Sequence, residues 1–127
     1  MASPNDLLAA LKGALATLPG IATLKIGIEE GLTADDYPLI RLVPTLLRQE
    51  PSIRGEVLEV IIYYGQLAYP FADGGLEAQY AWLLDMEQTI KATVRSGQDH
   101  FADWQDTVLD EDRLPGYKLF ASRFVVQ

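Results

Sequence analysis

The chain contains no cysteine. That excludes a disulfide frame, a thiolate nucleophile and a zinc–sulfur site, and it suits a reducing compartment. Histidine is almost as scarce, with His100 alone. A Ser–His–Asp device needs nucleophile, base and orienting acid within reach. Asp99 and Asp103 lie close to His100 in sequence, but neither Ser96 nor Ser122 sits in a nucleophile-elbow pattern. A metal site drawn from Asp99, His100 and Asp103 offers one imidazole and loop carboxylates, a poor donor set. His100 therefore reads as a loop residue after a helix. Positive charge is also in short supply. Ten Lys and Arg against eighteen Asp and Glu give a net charge of −8. Without a basic patch interleaved with aromatics, general nucleic-acid binding is disfavoured. Gly74-Gly75 lacks the spacing of a phosphate cradle. No apolar run is long enough to span a bilayer, and residues 1–6 lack the basic start of a signal peptide, so no membrane partner is expected.

What the chain does have is apolar residues in ordered patterns: 49% of its 127 residues are hydrophobic. That suffices for one domain of ordinary size with a real core. The dominant stretch is Glu56 to Tyr64, rich in β-branched and aromatic side chains that favour a pleated surface. With a period of two, Leu58, Val60, Ile62 and Tyr64 share a wholly apolar face. Val57, Glu59, Ile61 and Tyr63 share a mixed one. This is read as the central strand of an antiparallel sheet, one face under helices and the other half wet or met by another chain.

The remaining elements follow in order. Ser3, Pro4 and Asp6 form a helix start with a capping-box acid. Leu8, Leu11, Leu15 and Leu18 make one stripe, which Pro19-Gly20 stops. Leu24, Ile26 and Ile28 alternate with polar or small residues as a half-buried strand. A polar, turn-rich loop over residues 29–37 is long for a hairpin. A second strand spans 38–47, with Pro44 inside it, which belongs at an edge or a bulge. After the central strand, a connector over 65–75 carries Tyr69 and Phe71, aromatics that fold back or meet a partner. A second helix spans 76–95, with Leu76, Tyr80, Leu83, Ile90 and Val94 in register and Leu84 widening the stripe. Trp82 and Met86 lie off it. They either thicken the core side or face a neighbouring subunit. The chain closes with a weak strand over 104–110, a turn at 112–116 and a strong strand over 117–126. The fold class expected is α+β: an antiparallel sheet of strands of mixed length, two helices packed on one face, in the order α-β-β-β-α-β-β, as a single domain over 1–127.

The acid clusters Glu29-Glu30, Asp35-Asp36 and Asp110-Glu111-Asp112 match no calcium-loop spacing and read as solvated. No catalytic residue, cofactor or metal is expected, and the chain reads as a non-enzyme.

With its elements in this order, the chain resembles the phage tail-terminator family, in particular the short members from Mu-like and related prophages. The resemblance covers essentially the whole length. It is carried by the opening helix running into Leu24-Lys25-Ile26-Gly27-Ile28, the acidic loop before Tyr37-Pro38-Leu39-Ile40-Arg41-Leu42-Val43-Pro44, the strand ending Ile62-Tyr63-Tyr64-Gly65, the long second helix, and the hairpin ending Phe124-Val125-Val126-Gln127. It implies a virion structural protein that forms a homo-hexameric ring on the completed tail tube, stops tube polymerisation and offers a docking surface to the head-completion or connector protein. DNA passes through the ring without specific binding. The implied setting is the host cytoplasm during assembly, then the virion tail. The family has no short signature to carry over. Glu29, Glu30, Asp35, Asp36, Tyr69, Phe71, Trp82 and Met86 are the candidates here for subunit contacts or the ring lumen. Competing readings are another head–tail joining or tail-completion protein, a monomeric acidic binder or inhibitor, and a small enzyme.

Overall fold

The computed structural model describes residues 3–27, 34–50, 55–67, 75–97, 100–109 and 117–127. Its elements are α1 (Pro4–Leu15), β1 (Thr23–Ile26), a 3₁₀ turn (Ala34–Asp36), β2 (Leu39–Glu50), β3 (Gly55–Leu67), α2 (Gly75–Arg95), β4 (Ala102–Val108) and β5 (Tyr117–Val126). The class and the order α-β-β-β-α-β-β are those the sequence led us to expect.

The first helix starts as its cap residues dictate. The Asp6 amide donates to Ser3 Oγ, and the Ser3 amide donates back to the Asp6 carboxylate, each at 3.2 Å. Two otherwise orphaned donors are thereby satisfied, a cap worth about 1 kcal/mol. Leu7, Leu8, Leu11 and Leu15 are buried. Leu18 lies past the helix end, partly buried against the core. The helix tightens before Pro19: the Thr17 and Leu18 amides reach back three residues, to Ala14 and Leu15.

The five strands form one sheet in the order β1-β2-β3-β5-β4, so β3 is central. The pairs β2/β3, β3/β5 and β4/β5 are antiparallel. The pair β1/β2 is parallel, so the sheet is mixed rather than wholly antiparallel. The segment after β1 is thus no hairpin loop. It carries the chain back to the end of the sheet from which β1 started, which needs a long connection.

Leu58, Val60, Ile62 and Tyr64 of β3 are buried, as are Ile40 and Leu42 of β2 and Phe120, Phe124 and Val126 of β5. Register puts all of these side chains on one face. Against them pack the α1 leucines and Leu83, Ile90 and Val94 of α2, forming a single core. Tyr64 and Phe120 meet edge to face, with centroids 5.9 Å apart. A smaller cluster of Tyr37, Leu39 and Leu119 lies on the other face with half-buried Tyr63 beside it.

Two expectations about single side chains need correction. Ile26 is 45% exposed and Leu24 only partly buried, because Gly27 turns to φ +89 and ends β1 at once. Leu84 is 45% exposed and does not widen the core stripe. Helical spacing sets it three residues before Glu87 and seven before Lys91, on the flank that faces β4 rather than the sheet centre. Ile28 lies outside the described residues.

Pro44 sits at a β-bulge, where pairing passes from Pro44–Val60 to Leu46–Glu59 and Thr45 is the extra residue. The Thr45 hydroxyl donates to the Glu59 carbonyl at 3.2 Å, so this acceptor stays satisfied where the ladder is broken. A second bulge interrupts β4 at Gln105.

The face assignment has a direct consequence. Ile62→Ala should cost about 2–5 kcal/mol in urea unfolding, as expected for a sealed core position. Ile61→Ala, one residue away on the other face, should cost clearly less. Equal losses would mean that both faces of β3 are core.

Candidate functional site

The polar groups that the fold buries are the first place to look for chemistry. His100 is buried, and its Nε2 donates to the Val94 carbonyl at 2.7 Å. That carbonyl is among the last of α2, which lack intrahelical partners. Neighbouring carbonyls are met by the Ser96 amide, which donates to Ala92, and by the Ser96 hydroxyl, which donates to Thr93. The imidazole lies in the space left by Gly97. A Cβ there would come within 2.1 Å of His100 Cε1. His100 is thus a loop residue after α2, as expected, and its imidazole is buried as a helix-end cap. Its Nδ1 has no hydrogen-bond partner among the described residues. Neither Ser96 nor Ser122 bonds it.

A second buried set links three strands to α2. The Thr107 hydroxyl donates to Glu87 Oε2 at 3.2 Å and accepts from the Trp104 indole at 2.9 Å. Its oxygen also lies 2.8 Å from Ser122 Oγ, which in turn lies 3.0 Å from the Tyr64 hydroxyl. Because Thr107 has one proton and gives it to the carboxylate, Ser122 must donate to Thr107 and Tyr64 to Ser122. The chain of hydroxyls therefore has one direction, from Tyr64 in the core to Glu87. Glu87 is only 5% exposed, which a carboxylate tolerates only when well bonded. Lys91 Nζ lies 3.1 Å from its Oε1 and Gln88 donates to the same oxygen. Lys91 also sits 3.9 Å above the Trp104 ring, a cation–π contact. All polar members of the set are consumed in these bonds, and the set reads as a clamp between α2 and β4.

The open face of the sheet holds a recess of about 280 Å³ lined by Thr45, Glu59, Val60, Ile61, Gln105, Arg123 and Phe124. The two bulge residues, Thr45 and Gln105, mark its two sides. Arg123 makes a bidentate pair with Asp106, one bond being Nε to Oδ1 at 2.8 Å. The bond from Arg123 holds the Asp106 carboxyl below the usual aspartate value, and Arg123 is raised in turn. Both side chains are about half exposed, so the pair orders the face more than it stabilises it. None of the polar members of the hydroxyl chain lines this recess. Among the described residues, no three His, Asp or Glu side chains gather as metal ligands.

Of the residues singled out in the sequence, Glu29, Glu30, Tyr69 and Phe71 lie outside the described residues. Asp35 is exposed and Asp36 half-buried in the 3₁₀ turn before β2. Trp82 and Met86 are partly buried and pack against the core, the first of the two readings open for them. Sequence reasoning missed the whole hydroxyl chain and the capping role of His100. Ser122 was the available signal: it is a polar residue inside the buried alternation Phe120, Ser122, Phe124. The comparisons add no relative: no protein-family model matches the chain, and no curated protein matches it.

Two measurements test the clamp. Thr107→Val strands Glu87, Ser122 and the Trp104 indole at once and should cost about 1–3 kcal/mol of unfolding free energy. A cost near zero would make the chain decorative. The second test is in pH. Burial, and then the charge of Glu87, push the Tyr64 phenol above the ordinary 10.0. The unfolded chain therefore loses this proton first on alkaline titration. Stability is full below the ordinary tyrosine value and is lost as pH climbs from there toward the folded value. Tyr64→Phe should flatten the alkaline fall in melting temperature, and an unchanged slope would refute the assignment.

Proposed function

We propose that this chain is a structural protein of a phage or prophage tail, a tail terminator that forms a hexameric ring on the finished tube, ends its polymerisation and presents the surface on which the head docks. The reading is supported first by the distribution of exposed apolar side chains. Ile26, Leu46 and Leu47 lie at the β1–β2 edge of the sheet, at 45%, 50% and 46% exposure. Phe101, Val108 and Leu109 lie at the β4 edge, at 78%, 43% and 50%. The exposed apolar side chains thus differ between the two edges of one subunit. A two-fold dimer needs one self-complementary patch, whereas a ring needs two different ones that meet head to tail.

The rest of the chemistry agrees with a role played by shape. The buried hydroxyls bond one another and the histidine caps a helix end, contacts that hold the fold together. The surplus of eighteen acids over ten bases suits a channel that DNA traverses without sticking. Glu29, Glu30, Asp35 and Asp36 are our candidates for the lumen or the subunit contacts near it. The partners are further copies of the chain, the tube protein and the head-completion protein. Among the described residues no helix is long and apolar enough to cross a membrane. The working location is the host cytoplasm during assembly, then the virion tail.

The decisive experiment is light-scattering mass measurement over a wide concentration range, alone and with tube protein, followed by electron microscopy of growing tubes. A climb to six copies, and tubes that stop lengthening when the protein is added, are expected. A mass of one copy in every condition, with tubes growing unchecked, would reject the assignment.

A further inference from the structure

We infer that copies of this chain join edge to edge, β4 of one subunit taking β1 of the next as an added antiparallel strand, so that one sheet runs on from subunit to subunit with the helices on the same side. The inference deepens the ring reading by naming the contact, and it can fail without it.

Strand direction comes first. β1 is parallel to β2, β3 opposes β2, β5 opposes β3, and β4 opposes β5. β4 therefore runs opposite to β1. Placing a second copy beside the first, in the same orientation, sets an incoming β1 antiparallel to β4. Antiparallel is the stronger pairing and needs no covalent connection. The single parallel pair in the sheet produces this outcome. Had β1 opposed β2, the same junction would be parallel.

The faces also agree. Leu24 and Ile26 pair with Ile40 and Leu42, which puts them on the helix side, and Lys25 on the open side. Ala102 and Trp104 pair with Val126 and Phe124, again on the helix side, and Asp103 on the open side. The ladder extends one residue further, because the Phe101 and Gln127 backbones exchange hydrogen bonds at 2.8 and 2.9 Å. A register with Lys25 opposite Asp103 then sets Leu24 against Trp104 and Ile26 against Ala102. A cation meets an anion on the open side, and apolar groups meet on the helix side. Phe101, 78% exposed, lies at the end of this ladder and adds apolar surface there. Leu84 and Trp104, at 45% and 38%, add apolar surface beside the junction on the helix side.

The composition of β4 fits as well. Free edges are ordinarily protected by charged side chains, proline or bulges. β4 reads Ala-Asp-Trp-Gln-Asp-Thr-Val: it has no lysine or proline, and its guards are Asp106, the bulge at Gln105 and Asp103, which the proposed register pairs with Lys25. Its bulge at Gln105 ends regular pairing just past Trp104, which fixes where an added strand must stop. The ladder is short, so a single junction holds weakly and closure of the ring has to supply cooperativity. Association should accordingly depend on concentration.

The absence of native cysteine makes the test clean. Lys25 and Asp103 are exposed, and each can be changed to Cys. Within one chain they lie on opposite edges of the sheet, more than four strand spacings or about 19 Å apart, too far for a disulfide. Lys25→Cys/Asp103→Cys should give a ladder of disulfide-linked multimers under mild oxidation. Lys25→Cys/Gln88→Cys, with an exposed helix position as the second site, should give none beyond symmetric dimers. The native chain is weighed in parallel. If it oligomerises but the Lys25/Asp103 ladder is absent or no stronger than the Gln88 control, edge pairing is wrong and the ring uses another surface. If it stays single at every concentration and no ladder forms, the edge contact and the ring reading fall together.

Discussion

Leu58, Val60, Ile62 and Tyr64 of β3 are sealed from one side by two helices, and the placement of every other element follows from that. The two helices cover one face of the sheet, and the other buries only a smaller cluster around Leu39 and Leu119. Burying four large apolar side chains in a row contributes on the order of 1.5–3 kcal/mol each, so the strand commits to the face that carries them. A slip of one residue would exchange that row for Val57, Glu59, Ile61 and Tyr63 and bury a carboxylate. The open face is thus the necessary complement of the core.

The hydroxyl chain refines this arrangement. The central row ends in Tyr64, whose ring packs on Phe120 while its hydroxyl must find a partner in a dry place. Ser122, Thr107 and Glu87 carry that requirement outward step by step until Lys91 closes it near the surface. Apolar residues of equal shape at these positions would cost little or even stabilise. What the polar version adds is position: the Thr107–Glu87 hydrogen bond and the Lys91–Trp104 contact fix α2 over β4, where hydrophobic packing would allow sliding. β4 is an edge strand, and this clamp holds it from the helix side.

Much of the fold can be read from local pattern because local pattern is what determines it. The α1 stripe, the Ser3–Asp6 cap, the β3 alternation and the Pro44 bulge all depend on residues within a few positions of each other. The direction of β1 was not legible in the same way. Parallel and antiparallel pairing leave the same alternation in a strand of four residues, and only the path of the intervening chain decides between them. Leu84 shows a different limit: a helix stripe drawn by spacing alone cannot say how wide the covered surface is. The polar clamp was invisible because its members are separated by 15 to 58 residues and meet only across strands. The burial of His100 was not legible for a related reason, since the space that receives it is defined by a missing Cβ at Gly97.

The bulges bear on how such a subunit would build a closed object. A row of identical sheets joined at their edges stays open, as a fibre, unless each junction rotates the next copy toward a common axis. Bulges bend a strand and raise its local twist, and designed sheets are curved by the same means. Here one bulge lies at Gln105 beside the proposed junction, and the other at Thr45 lies across the open face, with the recess between them. Curvature is therefore built into both margins of the face that no helix covers. A sheet that bends at both margins turns edge addition toward closure. Closure also removes the exposure of Phe101 and Ile26 that would otherwise be a liability.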